Sequence, residues 1–277
     1  MIEEKAYAKL NLVLEVYKEN EEGFHDLKTI MVPIDLYDSL TFDQIDDGII
    51  LLDNSNLAYD ENIVYKAAKL FLETYNIKKG VLITLEKNIP TQAGLAGGSS
   101  DAAATLRGLN KLFNLNLSLE ELATLSERLG SDVAYCLYSR PALCTGRGTN
   151  VKLLDFDIPK WSVLLLKPPF GCSTKEIYKN YEAPEKKKTA RINHVLEGLK
   201  EDNLELVNKN MFNDLESSAF KLNSSLSKLS ESLNQVSKTL MSGSGSTLFI
   251  LSKDLDFLKD IELKHTKYLR TILTKLL

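Results

Sequence analysis

The sequence predicts an α+β protein, and three observations carry that reading. The chain has 277 residues, more than a usual single core holds. Strand-like patterns and helix-like patterns are mixed along it, with the second half turning mostly helical, an order that suggests α+β. A glycine-rich stretch stands where one strand pattern gives way to a helix pattern. Two parts are expected, 1–155 and 156–277, with "WSVLLLKPP" opening the second.

"KAYAKLNLVLEVYK" (5–18) is continuously apolar with β-branched and aromatic residues and reads as a strand. "ENIVYKAAKLFLETYN" (61–76) repeats Val64, Ala67, Ala68, Phe71 and Tyr75 at helical spacing, and "VLITLEKNI" (81–89) alternates as a strand. A helix follows whose apolar face is Ala102, Leu106, Leu109 and Phe113. "SLEELATLSERLG" offers Ser118 as N-cap and Glu121 as its capping-box partner. Its stripe of Leu119, Leu122, Leu125 and Leu129 is core, and Gly130 is its stop. "EAPEKKKTARIN" (182–193) reads as a solvated surface loop, and the second half is mostly helical until the strand "TLFIL" (247–251).

Composition narrows the function. Hydrophobic residues are 44% and charged ones 26%, as in a folded globular protein and unlike disorder or collagen. A formal net charge of -4 lacks the basic face of a nucleic-acid scaffold, so neither nucleic acid nor membrane is an expected partner. "MIEEKAYAKL" has acids where a signal peptide has a basic region, which makes the expected location cytoplasmic. Cys136, Cys144 and Cys172 form no CxxC pair and suit reduced thiols. His25, His194 and His265 are too scattered for a zinc site, and no protein-held metal is expected.

The informative stretch is "IPTQAGLAGGSSDAAA" (89–104), a strand end, a glycine-rich loop and a helix start in sequence. Glycines admit close approach of a ligand to the backbone, and the first N–H groups of a helix lack internal partners and carry the positive end of its dipole. That combination is an anion site, to which Ser99 and Ser100 add hydroxyls for phosphate oxygens or a metal ion. Asp101 in the same turn repels phosphate unless a cation or geometry separates them. No GKS or GKT follows, and the signatures of protein kinases are absent. Taken from the residues alone, a flexible serine-capped turn is the more readily expected explanation of a glycine cluster.

"PTQAGLAGGSSDAAA" resembles the phosphate-binding motif of the GHMP kinases, with "AYAKLNLVLEV" (6–16) and "MSGSGSTLFIL" (241–251) where that superfamily has its other two motifs. Within it, "GFHDLKTIMVPIDLYDSL", "GSDVAYCL" and "ALCTGRG" are similar in order and spacing to the 4-diphosphocytidyl-2-C-methyl-D-erythritol kinases, so the likeness spans most of the chain. Ala134 and Ser246 stand where members usually carry proline, the latter in a loop it would loosen; neither is a reacting group.

The resemblance implies a two-lobed fold with the active site in the cleft between lobes, and a small-molecule acceptor phosphorylated by ATP with Mg²⁺, in a monomer or weak homodimer. It assigns ATP binding to Pro90, Thr91, Gln92, Ala93, Gly94, Leu95, Ala96, Gly97, Gly98, Ser99 and Ser100, with Asn62 and Lys87. It makes Asp132 the catalytic base and Lys9 its activating partner, although by position alone Asp132 reads more readily as a helix cap, and Lys9 can be an edge or snorkelling lysine. Phe24 and Tyr178 become the aromatic faces around cytosine, with Phe170 a poorer match than Tyr178. His25 becomes the reader of the base's edge, and Asn11 and Thr174 further acceptor contacts. Core burial would equally explain the aromatics. Other GHMP kinases, of homoserine or phosphomevalonate type, and a non-catalytic sugar- or nucleotide-binding descendant remain the alternatives.

Overall fold

Two long strands organise the chain. The computed structural model describes residues 1–19, 23–53, 61–183 and 189–277. In chain order the elements are β1 (Ile2–Glu19), β2 (His25–Ile45), β3 (Ile49–Asp53), α1 (Ile63–Thr74), β4 (Gly80–Glu86), α2 (Gly97–Leu112), α3 (Leu119–Ser126), α4 (Ser131–Tyr138), β5 (Ala142–Gly146), β6 (Asn150–Leu153) and β7 (Ser162–Lys167). There follow α5 (Thr174–Lys179), α6 (Thr189–Lys200), α7 (Leu204–Asn210), β8 (Phe212–Asn213), α8 (Glu216–Leu222), α9 (Ser224–Asn234), β9 (Thr239–Met241), β10 (Leu248–Ser252), α10 (Leu255–His265) and β11 (Arg270–Lys275).

Residues 1–8, 36–90 and 96–139 form one compact unit, and residues 9–35, 91–95 and 140–277 form another. The units are interleaved in sequence because β1 and β2 pass through both, and the expected boundary at 155 falls inside the second.

In the first unit the strand order is β3-β4-β2-β1, with β2 antiparallel and β3 parallel to β4. Helix α2 lies against β2 so closely that a Cβ on Gly108 would sit 2.3 Å from the Phe42 ring, and only glycine fits there. Arg107 ties the same helix down, its Nε donating to Glu4 and its Nη1 to the Cys136 carbonyl, each at 2.9 Å. In α1, Val64, Ala67, Ala68 and Phe71 are fully buried, as their spacing predicts. The capping box of α3 forms from Ser118 and Glu121. Its leucine stripe is shorter than expected: Leu122 and Leu125 are buried, but Leu119 is exposed in the first turn and the helix stops at Ser126. Gly130 is instead the N-cap of α4.

In the second unit β8 runs parallel to β1 and β5 antiparallel to β2, while β11-β7-β10-β9 form a separate antiparallel sheet. Leu164, Leu166, Leu248 and Ile250 of that sheet are fully buried among Leu226, Leu233 and Leu258 from the helices. Of the stretch 182–193 expected as a loop, 184–188 lie outside the described residues. Thr189 already begins α6, and Ile192 is fully buried, so the apolar face of a helix outweighs the charge beside it. Cys136, Cys144 and Cys172 are all buried. Among the described residues no helix is long and apolar enough to cross a membrane.

Candidate active site

The glycine-rich loop divides by what its backbone does. In its first part Gly94 has φ +73, and a Cβ there would lie 1.9 Å from the Ser242 carbonyl oxygen, which excludes any side chain. The carbonyls of this part face inward. Ala93 O accepts from Thr247 N at 3.3 Å, Leu95 O from Lys9 N at 3.1 Å, and Gly94 O from both Lys9 Nζ and Ser242 Oγ at 3.0 Å. Pro90, Ala93 and Leu95 are buried while Thr91 and Gln92 are exposed.

The second part starts α2. Its N-cap is Ala96, held at φ 57, whose methyl has no oxygen to offer the first N–H groups. Gly97, Gly98 and Ser99 therefore open an uncapped helix N-terminus, with Gly98 exposed and the Ser99 hydroxyl half-buried. Ser100 departs from expectation. It is 1% exposed, its hydroxyl proton goes to the Tyr7 carbonyl and its N–H to Ala96 O, so it anchors the helix rather than facing a ligand.

Asp101 is neutralised from below. Lys87 Nζ sits between Asp101 Oδ2, at 2.5 Å, and Asp38 Oδ2. Burial works to lower the Lys87 ammonium, but Asp101 and Asp38 together outweigh it and hold the group above its ordinary value. Burial pushes the Asp101 carboxyl well above the usual carboxylate range, with Lys87 opposing and Asp38 adding to the rise. Asp101 Oδ1 is buried without a hydrogen-bond partner. Asp38 Oδ1 also accepts from Ile89 N at 2.8 Å, so one carboxylate fixes both the lysine and the strand end that leads into the loop. Asn62 is the N-cap of α1: Oδ1 accepts from Val64 N at 2.9 Å and Nδ2 donates to Asp53 at 2.6 Å.

Lys9 is 3% exposed, which removes the edge and snorkelling readings. Its ammonium donates to Asn11 Oδ1 at 2.6 Å and to Gly94 O at 3.0 Å. Asn11 Nδ2 in turn donates to Thr29 Oγ1 at 2.8 Å, and Thr29 to Val13 O at 2.5 Å, so the amide is oriented with its oxygen toward the lysine. Asp132 is half-buried in the first turn of α4, where the helix dipole favours a carboxylate; Gly130, not Asp132, is the cap.

The predicted base-binding residues gather around His25. Its Nδ1 lies 2.7 Å from the Tyr17 carbonyl, which can only accept, so Nδ1 carries a proton and Nε2 is the lone-pair nitrogen of the neutral ring. The Tyr178 ring is 5.6 Å away at 40° and Tyr181 5.7 Å away at 74°. Phe24 is 43% exposed, and the Arg147 guanidinium lies 3.5 Å from its ring centroid. Thr174, at the start of α5, shares a 2.7 Å hydrogen bond with Ser244. Ser246 is fully buried and donates to the Phe170 carbonyl at 2.6 Å, so a tie stands where a looser loop was expected.

The first part of the glycine-rich loop holds the buried Lys9 through the Gly94 and Leu95 carbonyls, and no P-loop lysine follows the loop. The chain belongs to the GHMP kinases. The family model described as GHMP kinases N terminal domain matches residues 62–140, and that described as GHMP kinases C terminal matches 195–270. The 4-diphosphocytidyl-2-C-methyl-D-erythritol kinase of Clostridium botulinum is 42% identical over 98% of both chains, and that of Clostridium tetani is 44% identical over 88% of this chain and 89% of its own. A crystal structure of 4-(cytidine 5'-diphospho)-2C-methyl-D-erythritol kinase matches with a TM-score of 0.84 at 31% identity over 99% of each chain. The homoserine kinase from Cytophaga hutchinsonii, 17% identical with a TM-score of 0.77, covers 99% of this chain and 94% of its own and shares the fold.

Proposed function

We propose that the protein transfers the γ-phosphoryl group of ATP to the 2-hydroxyl of 4-diphosphocytidyl-2-C-methyl-D-erythritol, a step of non-mevalonate isoprenoid precursor biosynthesis. The observation that carries this is the likeness over nearly the whole chain to kinases of that name. The bond from the acceptor oxygen to phosphorus forms, the bridging bond to ADP breaks, and the hydroxyl proton goes to a base. Asp132 is that base in this reading, and Lys9 lowers the cost of the oxyanion.

The N–H groups of Gly97, Gly98 and Ser99 hold the β- and γ-phosphates, with the rest of 90–100 shaping the loop. Lys87, whose Nζ would lie 3.4 Å from a Cβ on Gly97, offsets the Asp101 carboxyl so that the helix start does not meet the phosphates with an unpaired acid. Asn62 contributes by setting the start of α1. Mg²⁺ bound with the nucleotide would neutralise the charge of its phosphates. Ser99 supplies a hard oxygen that suits it, which fits an ion that keeps most of its ligands from water and phosphate.

Phe24 and Tyr178 offer faces for the pyrimidine. With Nδ1 committed to Tyr17, His25 Nε2 accepts from the exocyclic amine of cytosine and meets only a carbonyl on uracil, which disfavours the latter. Asn11 and Thr174 complete the acceptor contacts. ATP consumption measured against a panel of the cytidylyl acceptor, homoserine and phosphomevalonate, with the product mass, tests the reading. Turnover on the first supports it. Turnover only on another acceptor assigns a different GHMP activity, and none at all assigns a binding descendant.

A further inference from the structure

Lys167 ends β7 almost completely buried, 8% exposed, and among the described residues no carboxylate lies within ion-pair distance of it. A buried ammonium without an acid is expensive, so the hydrogen bonds that retain it must matter. They go to the turn that follows. Nζ donates to Pro168 O at 2.9 Å and to Phe170 O at 2.7 Å, wrapping residues 168–170 around the charge. Burial pulls the ammonium below the ordinary lysine value, the nearby Cys172 opposing and Arg270 adding.

The Phe170 carbonyl has a second donor, Ser246 Oγ at 2.6 Å, from the third glycine-rich loop. Four residues after Phe170, Thr174 Oγ1 meets Ser244 of that loop at 2.7 Å. Between these ties Gly171 passes so near Gln92 that a Cβ on it would lie 2.3 Å from Oε1, and Cys172 Sγ would lie 3.4 Å from a Cβ on Gly245. The turn 168–174 is thus registered on the glycine-rich segments at both of its ends, and α5, which carries Thr174 and Tyr178, starts from it.

We propose that Lys167 and Ser246 are positioning residues: by sharing the Phe170 carbonyl they set the turn from which Thr174 and Tyr178 address the acceptor. This rests on the acceptor reading given under Proposed function. Ser246 supplies its hydroxyl from the glycine-rich segment 241–251. Loss of either donor leaves the carbonyl with one partner and frees the turn, so acceptor binding weakens while ATP binding does not.

The test compares Ser246→Ala, Ser246→Thr, Lys167→Met and Thr174→Ala with the parent protein. Hydrogen exchange of a peptide spanning 168–179, without any substrate, reads the turn directly, and KM values for acceptor and ATP read the consequence. Faster exchange and a roughly threefold to tenfold higher acceptor KM are expected for Ser246→Ala and Lys167→Met, the range for one hydrogen bond. ATP KM should stay unchanged, and Ser246→Thr should restore both readouts. Unchanged exchange overturns the proposal whatever the acceptor. Faster exchange with an unchanged acceptor KM also overturns it. In that case Thr174→Ala separates the causes: a raised acceptor KM there means that only the positioning role fails, and a flat one means that the acceptor reading of Thr174 fails with it.

Discussion

Gly98→Ala separates what the loop glycines do for folding from what they do for ATP. Gly98 is exposed, and a Cβ on it would meet only Ile63 Cγ2, at an ordinary 3.6 Å. It stands in the first turn of α2 with no positive φ, so alanine should stabilise the helix by about 0.5–1 kcal/mol. For a chain of this size that raises Tm by roughly 2–4 °C at the upper figure. If a phosphate oxygen approaches the backbone here, the methyl displaces it and one charge-assisted hydrogen bond of about 1.5–3 kcal/mol is lost. ATP KM should then rise about 10- to 150-fold while the acceptor KM holds. Gly94→Ala is the contrasting case, because its positive φ alone costs about 1–2 kcal/mol before the 1.9 Å approach to Ser242 is counted, and Tm should fall. Steady-state kinetics at saturating acceptor and a melting curve decide it. A stabilised Gly98→Ala protein with unchanged ATP KM would show that the loop is glycine-rich for packing alone.

Other outcomes follow from the same geometry. Asp132→Asn should lower kcat on the order of 100-fold or more, the range for losing an acid-base group, with a melting curve showing that the variant still folds; near-normal kcat would return Asp132 to a structural role. Lys9→Met should cost similar activity and also lower Tm, because Asn11 Oδ1 and Gly94 O lose their shared donor, and the melting curve reads that second part. Asp101 binds its proton more tightly folded than unfolded, so the stability it contributes is present below roughly pH 4 and is lost as pH rises through its raised value. The Tm of Asp101→Asn relative to the parent should therefore climb with pH, and a gap that is constant with pH would refute the burial argument. Phe24→Ala should weaken acceptor binding by roughly 1–3 kcal/mol, and His25→Ala should also relax the cytidylyl-over-uridylyl preference; a change in ATP KM instead would place the base elsewhere.

What the sequence made readable was local. The 3.6-residue spacing of Val64 to Phe71, the Ser118–Glu121 box and the glycine run before α2 all announce themselves within a few positions. The long strand β2 is hard to see in the sequence, because Pro33 and the charges of "DLYDSL" interrupt its apolar run; its residues nonetheless pair with β4 and β5. The partners that give the site residues their character come from afar. Asp38 lies 49 positions from Lys87, and Gly94 lies 85 from Lys9, and no period or spacing connects them. Ser100 shows the same thing: its hydroxyl donates to the Tyr7 carbonyl, 93 positions away, a partner that no local pattern announces. Lys9 was the exception, since a lone lysine in an apolar strand already signals a buried partner.

The most direct test is a single assay of the purified protein with MgATP and 4-diphosphocytidyl-2-C-methyl-D-erythritol beside homoserine and phosphomevalonate, following ADP release and product mass together. The predicted result is stoichiometric ADP and a cytidylyl product heavier by one phosphoryl group, with no product from the other two. ADP release with homoserine or phosphomevalonate, and none with the cytidylyl acceptor, would contradict it.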